Sequence, residues 1–303
     1  MEEAEAAALR SGLALRAYRC DRCARFHLTS RTKGKRVPRT DLGEAGGDPQ
    51  RLLGDFRTDL WLPRLEAGRC GRWSLEVMQA HSARGYWGGL YAISGAAFLT
   101  GPFEEHGAAW MSLVPMEIES QEIGIASASG HTAVLGLGLG WCAANVALRP
   151  EVERVTVVER DPEIVALVEA LGVFGQLPEG ARAKIEVVAG EALLWRPGEP
   201  VDSVQADIWA KFVEPQKWDD VRRMHDNIGA RSLYFWGQEL ELWRLACRAR
   251  GRVPEEFGAD ELEALVRGTG LPLAGETGPG EAARIAEAAR WWTPRDQGWW
   301  DTQ

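Results

Sequence analysis

The stretch TAVLGLGLGWCAANVALRPEVERVTVVERDPEIV, residues 132–165, constrains the fold more than any other part of the chain. TAVLGL is an apolar run bounded by glycines, suited to a strand buried on both faces. WCAANVALR reads as a helix, RVTVVE as a second strand, and PEIVALVEAL as a helix that starts at Pro162. Strand, helix and strand in alternation predict a parallel α/β sheet.

The alternation continues downstream. KIEVVA predicts a third strand, VDSVQAD a weaker fourth covered by the helical PQKWDDVRRMHDN, and SLYFWG a fifth followed by the helix QELELWRLACRAR. After Gly251 the chain reads as helical apart from GLPLAGETGPG, with no convincing sixth or seventh strand. Upstream, RWSLEVMQA, GYWGGLYAI and GAAFLTG are short β-prone runs broken by glycine, which predicts hairpins. WMSLVPMEIESQEIGIA predicts a strand and then a helix. The expected architecture is a Rossmann-like, mostly parallel sheet with helices on both faces, preceded by a small β-hairpin domain and an N-terminal basic extension. The expected segments are a helix and basic arm over 1–50, a hairpin-containing domain over 51–125, a nucleotide-binding domain over 126–251 and a helical extension over 252–303.

Composition limits the function classes. The chain of 303 residues is 45% apolar and 26% charged, as in an ordinary globular protein. No window has the roughly 18 apolar residues that a membrane-spanning helix needs. The acidic start, MEEAEAAALRSGLALRAYRC, does not resemble a secretory signal, so a cytoplasmic protein is expected. The net charge of −9 argues against a general nucleic-acid binder. The charge is uneven: residues 16–39 carry nine Lys or Arg against one acid, a local +8. Such an arm suits an acidic partner or RNA, and equally a solvated flap. The five cysteines do not form a disulfide framework. Cys20, Cys23 and His27 have the spacing of half a zinc site; a full one needs four ligands, so reduced thiols and no bound metal are expected.

Gly136, Gly138 and Gly140 end the first strand just before a helix. Absent side chains allow a tight turn and close approach of backbone to a ligand, and the N–H groups of the next helix favour a negative group. Glu159 ends the second strand, 21 residues after Gly138, where a carboxylate accepts hydrogen bonds from two ribose hydroxyls. The same carboxylate would repel a 2′-phosphate. Read from Gly138, GLGWCA fits the dinucleotide pattern, which leaves NAD open. Two features favour S-adenosyl-L-methionine (SAM): the unit begins after about 130 residues of other structure, and the fourth strand ends in an acid, Asp207.

Residues from about Tyr86 to Gly237 resemble the spermidine synthase-like branch of the class I SAM-dependent methyltransferases. YAISGAAFLTG is similar to the family's hairpin before the catalytic domain, ESQEI to its tyrosine-glutamine-glutamate helix start, and LGLGLGW to its glycine loop. VTVVERDPEIV resembles the ribose-binding strand and turn, VVAGEALLW the segment that holds the adenine amino group, and VDSVQAD the strand ending in a catalytic aspartate. The resemblance implies a seven-stranded or related sheet. By matching position it implies that Gln121, Gly136, Gly138, Gly140, Glu159, Arg160, Asp161, Glu191, Ala192 and Asp207 surround the cofactor. Hairpin domains in similar proteins often mediate dimers, so a homodimer is an expected assembly. Aminopropyltransferases of this family carry an aspartate in the glycine loop where this chain has Leu139, and their second acid after strand four is lost in DIWAK. Methyl transfer from SAM is therefore the better inference than polyamine synthesis.

Methyl transfer requires a nucleophile aligned behind the methyl carbon and kept deprotonated. Asp207 suits binding of the methionyl amine or acceptance of a substrate proton, or it simply caps a loop. Histidine is the side-chain type suited to proton exchange near neutral pH, so His225 suits a base, although a cation near a helix end also complements the dipole. Of the fourteen tryptophans, Trp141, Trp209, Trp218 and Trp236 fall where loops are expected to face a ligand. Trp209 and Trp236 are the candidates for the substrate wall, with core packing as the plain alternative. Trp291–Trp292 and Trp299–Trp300 are expected to pack a terminal helix or a partner subunit.

The function expected is a SAM-dependent methyltransferase acting on a nitrogen or oxygen of a small molecule or peptide. An aminopropyltransferase, a non-catalytic binding module and a nicotinamide oxidoreductase are the alternatives.

Overall fold

The computed structural model of the chain describes residues 16–19, 26–29, 55–79, 81–101, 109–296 and 298–301. The chain forms two compact units, residues 1–47 and 48–303. In the first, β1 (Arg16–Arg19) pairs antiparallel with β2 (Phe26–Thr29), Arg16 opposite Thr29. The basic segment, read above simply as an arm, thus carries a hairpin. Cys20, Cys23, the His27 side chain and the expected N-terminal helix lie outside the described residues.

The second unit begins with antiparallel structure. β3 (Gly68–Cys70), β4 (Trp73–Met78), β7 (Ala96–Thr100) and β8 (Met111–Leu113) form a sheet in the order β3-β4-β7-β8. β5 (His81–Arg84) and β6 (Leu90–Ile93) make a separate hairpin. In β4 the buried Trp73 and Leu75 alternate with half-buried and exposed residues, the pattern of a sheet covered on one face. β8 runs through Val114 into α1 (Pro115–Ser127), with Pro115 at the first helical position, where its missing N–H costs nothing.

The parallel sheet is built from β9 (Gly130–Leu135), β10 (Val152–Glu159), β11 (Ile185–Ala189), β12 (Ser203–Ala206) and β13 (Ser232–Phe235), in the order β11-β10-β9-β12-β13. The connecting helices are α2 (Trp141–Leu148), α3 (Pro162–Ala170), α4 (Glu179–Arg182), α5 (Lys217–Ile228) and α6 (Gln238–Arg250). Residues alternate between two cores. Val134, Val155 and Val157 pack with Ile118 of α1, Val146 of α2 and Leu167 of α3. Ala133, Leu135 and Val158 turn the other way, toward Val221 and Met224 of α5 and Leu240 of α6. Helices therefore cover both faces, and the fold is the expected Rossmann-like α/β architecture. β9 is the switch point: the chain moves outward through β10 and β11, then returns to its other side with β12.

The seven-stranded sheet implied by the resemblance is not seen; five parallel strands are present among the described residues. After α6 the chain forms α7 (Ala259–Thr269) and α8 (Pro279–Trp292). Between them Leu273 makes one isolated parallel bridge to Leu233 at the β13 edge. Glycine and proline in GLPLAGETGPG do not sustain a ladder beyond that point. Trp299 and Trp300, both buried, pack against α6 at the end of the described chain.

Candidate functional site

The ends of β9, β10, β11 and β12 open into a cavity of about 380 Å³, a size suited to a small ligand. It lies at the carboxyl ends of the strands beside the switch point, the usual place for ligands in open α/β sheets.

The glycine loop forms one wall. Gly136 has φ 99°, and a Cβ there would collide with the backbone carbonyl of Asp207. Glycine thus lets the ends of β9 and β12 close on each other. Gly138, with φ 51°, faces the sulfur of Met111 just as closely. Met111 Sδ accepts the Leu139 amide at 3.2 Å, and Glu159 Oε2 accepts the Leu137 amide at 2.9 Å. These two loop amides are therefore engaged internally and not held open for an anion. Gly136 and Gly138 line the cavity; Gly140 adjoins it as the left-handed cap of α2.

Glu159 sits at the tip of β10 and lines the cavity, its Oε1 accepting the Asp161 amide at 2.7 Å. Beyond it Arg160 pairs with Glu191 at 3.3 Å, and Arg160, Asp161, Glu191 and Ala192 all border the cavity. Asp161 is committed elsewhere as well. Its Oδ1 caps α3 by accepting the Glu163 amide, while Oδ2 accepts from Arg72 and from Trp73 Nε1, both at 2.8 Å. Burial raises its pKa, but these hydrogen bonds outweigh that and hold the carboxyl below its ordinary value. Its contacts fasten α3 to β4.

Asp207 follows β12 and is reached by α1. Gln121 Nε2 donates to Asp207 Oδ2 at 2.7 Å, and Gln205 Nε2 donates to Gln121 Oε1 at 2.5 Å. One turn earlier on α1, Glu117 is 3% exposed and lines the same cavity. Burial pushes the Asp207 carboxyl up to about 6. Burial and the Asp207 charge push Glu117 well above its ordinary value. Ser120 fixes this end of α1 to β13: its Oγ accepts from Trp236 Nε1 at 2.8 Å and its carbonyl from the Tyr234 hydroxyl.

Trp209 and Trp236 both line the cavity, each with its indole N–H engaged; Trp209 donates to Asp220 at 2.9 Å. Between them lies Lys217, fully buried, with Nζ 4.8 Å from the Trp209 ring and 5.3 Å from the Trp236 ring. Nζ donates to the carbonyls of Lys211, Phe212 and Trp236 at 2.7, 2.9 and 3.1 Å. Burial lowers its pKa to about 8 against the pull of Glu241, Asp207 and Glu214.

The structure brings together all the sequence-predicted residues except Gly140, which adjoins the cavity, Trp218 and His225. His225 lies in the last turn of α5 and does not border the cavity; its Nδ1 is buried without a hydrogen-bond partner among the described residues. α5 turns Val221, Met224 and Ile228 to the core, so His225 falls on the flank of that stripe. Trp141 lines the cavity, donating Nε1 to the Trp61 carbonyl at 2.7 Å, whereas Trp218 packs on Phe235 in the core. Sequence reasoning missed Glu117, Met111 and Lys217. Only Glu117 left a signal, the spacing of four from Gln121 that stacks both on one helix face. Among the described residues no group of three or more His, Cys, Asp or Glu is placed to hold a metal ion, and no helix is long and apolar enough to cross a membrane.

No family model and no curated protein matches the chain. Solved structures overlap with part of it. The glycopeptide N-methyltransferase MtfA, complexed with S-adenosyl-L-homocysteine, is 14% identical over 37% of this chain and 43% of its own, with a TM-score of 0.30. DhpI in a complex with SAM is 17% identical over 35% and 43%, with a TM-score of 0.26. The amino pentose methyltransferase CalS10 of Micromonospora echinaspora, with SAM bound, is 20% identical over 36% and 43%, with a TM-score of 0.26. The chain spans less than half the length of each of these proteins.

Proposed function

We propose that the protein is a SAM-dependent methyltransferase that moves a methyl group to a nitrogen or oxygen of a small molecule or peptide. The observation that carries this reading is the meeting of Glu159, Glu191 and Asp207 around one cavity at the switch point of the sheet. The residues present fit the cofactor. Glu159 offers carboxylate oxygens to the ribose, and Val158, Ile164 and Leu193 offer apolar contact to the base. Asp207 and Glu117 supply negative charge for a cationic ligand. When bound, SAM supplies an electrophilic methyl group on a sulfonium.

The protein's own part is alignment and proton handling. Trp209 and Trp236 form a stiff wall, since each is fixed through its indole N–H. A wall of this kind restricts the approach of an acceptor, which is where most of the rate advantage in such a transfer arises. Asp207, deprotonated, takes a proton from the acceptor nitrogen or oxygen; a carboxyl near 6 is better matched to that task at neutral pH than an ordinary one.

Calorimetric titration with SAM and with S-adenosylhomocysteine tests the reading. Micromolar binding is expected, weakened at least tenfold in Glu159→Ala. Full affinity in that variant, or none in the wild type, refutes it. Incubation with decarboxylated SAM and putrescine, followed by mass spectrometry, checks the aminopropyl alternative.

A further inference from the structure

Glu117, buried, and Asp207, half-buried, are two carboxyl groups that line the same cavity, with the Gln121 amide on the α1 face between them. Gln121 hydrogen-bonds Asp207 and lies one helical turn from Glu117, and its orientation is fixed by the bond from Gln205. The surrounding elements supply no ready counter-charge. From α2 comes the Cys142 thiol, pushed up by burial and then by Asp207 and Glu117, so it stays neutral. From β13 comes the Tyr234 phenol, held neutral by burial and nearby carboxyls, and spent on the Ser120 carbonyl. From α5 comes Lys217, which acts on Asp207 through space but gives its three N–H bonds to backbone carbonyls. Among the described residues neither carboxyl forms an ion pair.

Two ionised carboxylates in such a place repel each other and are both partly withheld from water, so one of them is favoured to keep a proton. A positive charge brought to the pair reverses that balance, because an opposite charge a few ångströms away favours ionisation. We propose that Glu117 and Asp207 form a receptor for one positive charge, and that a cationic group of the cofactor, seated at this pair, displaces a proton from it to solvent. The inference rests on the SAM reading and extends it: Glu117 becomes a binding residue, and cofactor affinity becomes coupled to pH. Two charges of SAM qualify, the α-ammonium and the sulfonium; the demethylated product keeps only the first. Recognition through the sulfonium makes loss of the methyl group weaken the product's own hold on the site.

The test is calorimetric titration of the full chain with SAM and with S-adenosylhomocysteine at pH 6.5, each in phosphate and in Tris. The difference in apparent enthalpy between buffers counts the protons released. Release of about half to one proton per SAM bound is expected, with a Kd that tightens by up to about tenfold per pH unit between pH 5.5 and 7. Glu117→Gln and Asp207→Asn, each of which leaves one ionisable carboxyl without the repulsion of the other, are both expected to reduce the release. Release with SAM alone assigns the sulfonium, and release with both ligands assigns the α-ammonium; either supports the proposal. SAM binding with no proton released by the wild type, or with release unchanged in both variants, overturns the receptor and leaves the cofactor reading standing. Failure of the wild type to bind SAM overturns both.

Discussion

Lys217 Nζ lies 2.9 Å from the Phe212 carbonyl and 3.1 Å from the Trp236 carbonyl, tying the loop after β12 to the end of β13. The contact joins two segments of the cavity wall through one buried ammonium. Its cost is desolvation, which pulls the Lys217 pKa down to about 8; its return is the satisfaction of three carbonyls. Lys217→Met is expected to leave those carbonyls without a donor. The loss expected in urea unfolding is about 2–4 kcal/mol. An unchanged urea midpoint would show that the loop holds its place without the lysine.

His225 provides a contrast. It stands outside the cavity, so His225→Ala is expected to leave the Kd for SAM within about twofold and stability within roughly 1 kcal/mol. Asp207→Asn, made in parallel, is expected to suppress methyl transfer by about a hundredfold or more, in the range typical for a lost general base. A tenfold change in Kd in the histidine variant would contradict its placement.

The sheet and its glycine loop were legible because both follow from local rules. Apolar runs of strand length, Pro162 at a helix start and an acid 21 residues beyond Gly138 each have a mechanical cause that a single sequence displays. Legibility failed where contacts are long-range. Met111 meets Gly138 only because β8 and α1 lead into the sheet, and Lys217 is buried only because β13 returns beside β12. That His225 stands apart from the cavity was not legible, because residue type is visible in a sequence and helix rotation is not. Glu117 was hidden in the acidic run MEIESQE, where burial alone distinguishes it and Glu119 from the half-exposed Glu122.

Gly136 offers a sharp test of how the strand ends close. Its φ of 99° is unfavourable for any residue with a Cβ, and the added methyl would meet the Asp207 carbonyl. Backbone strain and overpacking together predict a loss on the order of 3 kcal/mol for Gly136→Ala. Thermal unfolding should fall by several degrees, with SAM affinity reduced further as the β12 end is pushed away from the loop. A variant as stable as the wild type would mean that the two strand ends are not in contact.

Buried carboxyls also set the pH at which the fold is most stable. Burial raises Glu239 to about 7 and Asp207 to about 6; burial and repulsion by Glu119 raise Glu122 to about 7. In the unfolded chain these groups ionise near pH 4. Between pH 4 and 7 the native state therefore holds more protons than the unfolded one. The stability they contribute is fully present below pH 4 and is lost as pH rises through 6 to 7. Asp161 and Asp202 act in the opposite sense: hydrogen bonds and arginine partners hold both low, so their contribution fades below about pH 4. Stability is thus expected to peak near pH 4 and to decline toward pH 7.5. The Glu239 contribution isolates the cause. Its Oε2 accepts the Tyr86 hydroxyl at 3.0 Å, a role that an amide oxygen can fill without ionising. Glu239→Gln is expected to remove on the order of 2 kcal/mol from the decline, read as urea midpoints at pH 5, 6 and 7.5. A wild type that grows steadily more stable from pH 5 to 7.5, or a variant with an unaltered slope, would place the titrating protons elsewhere.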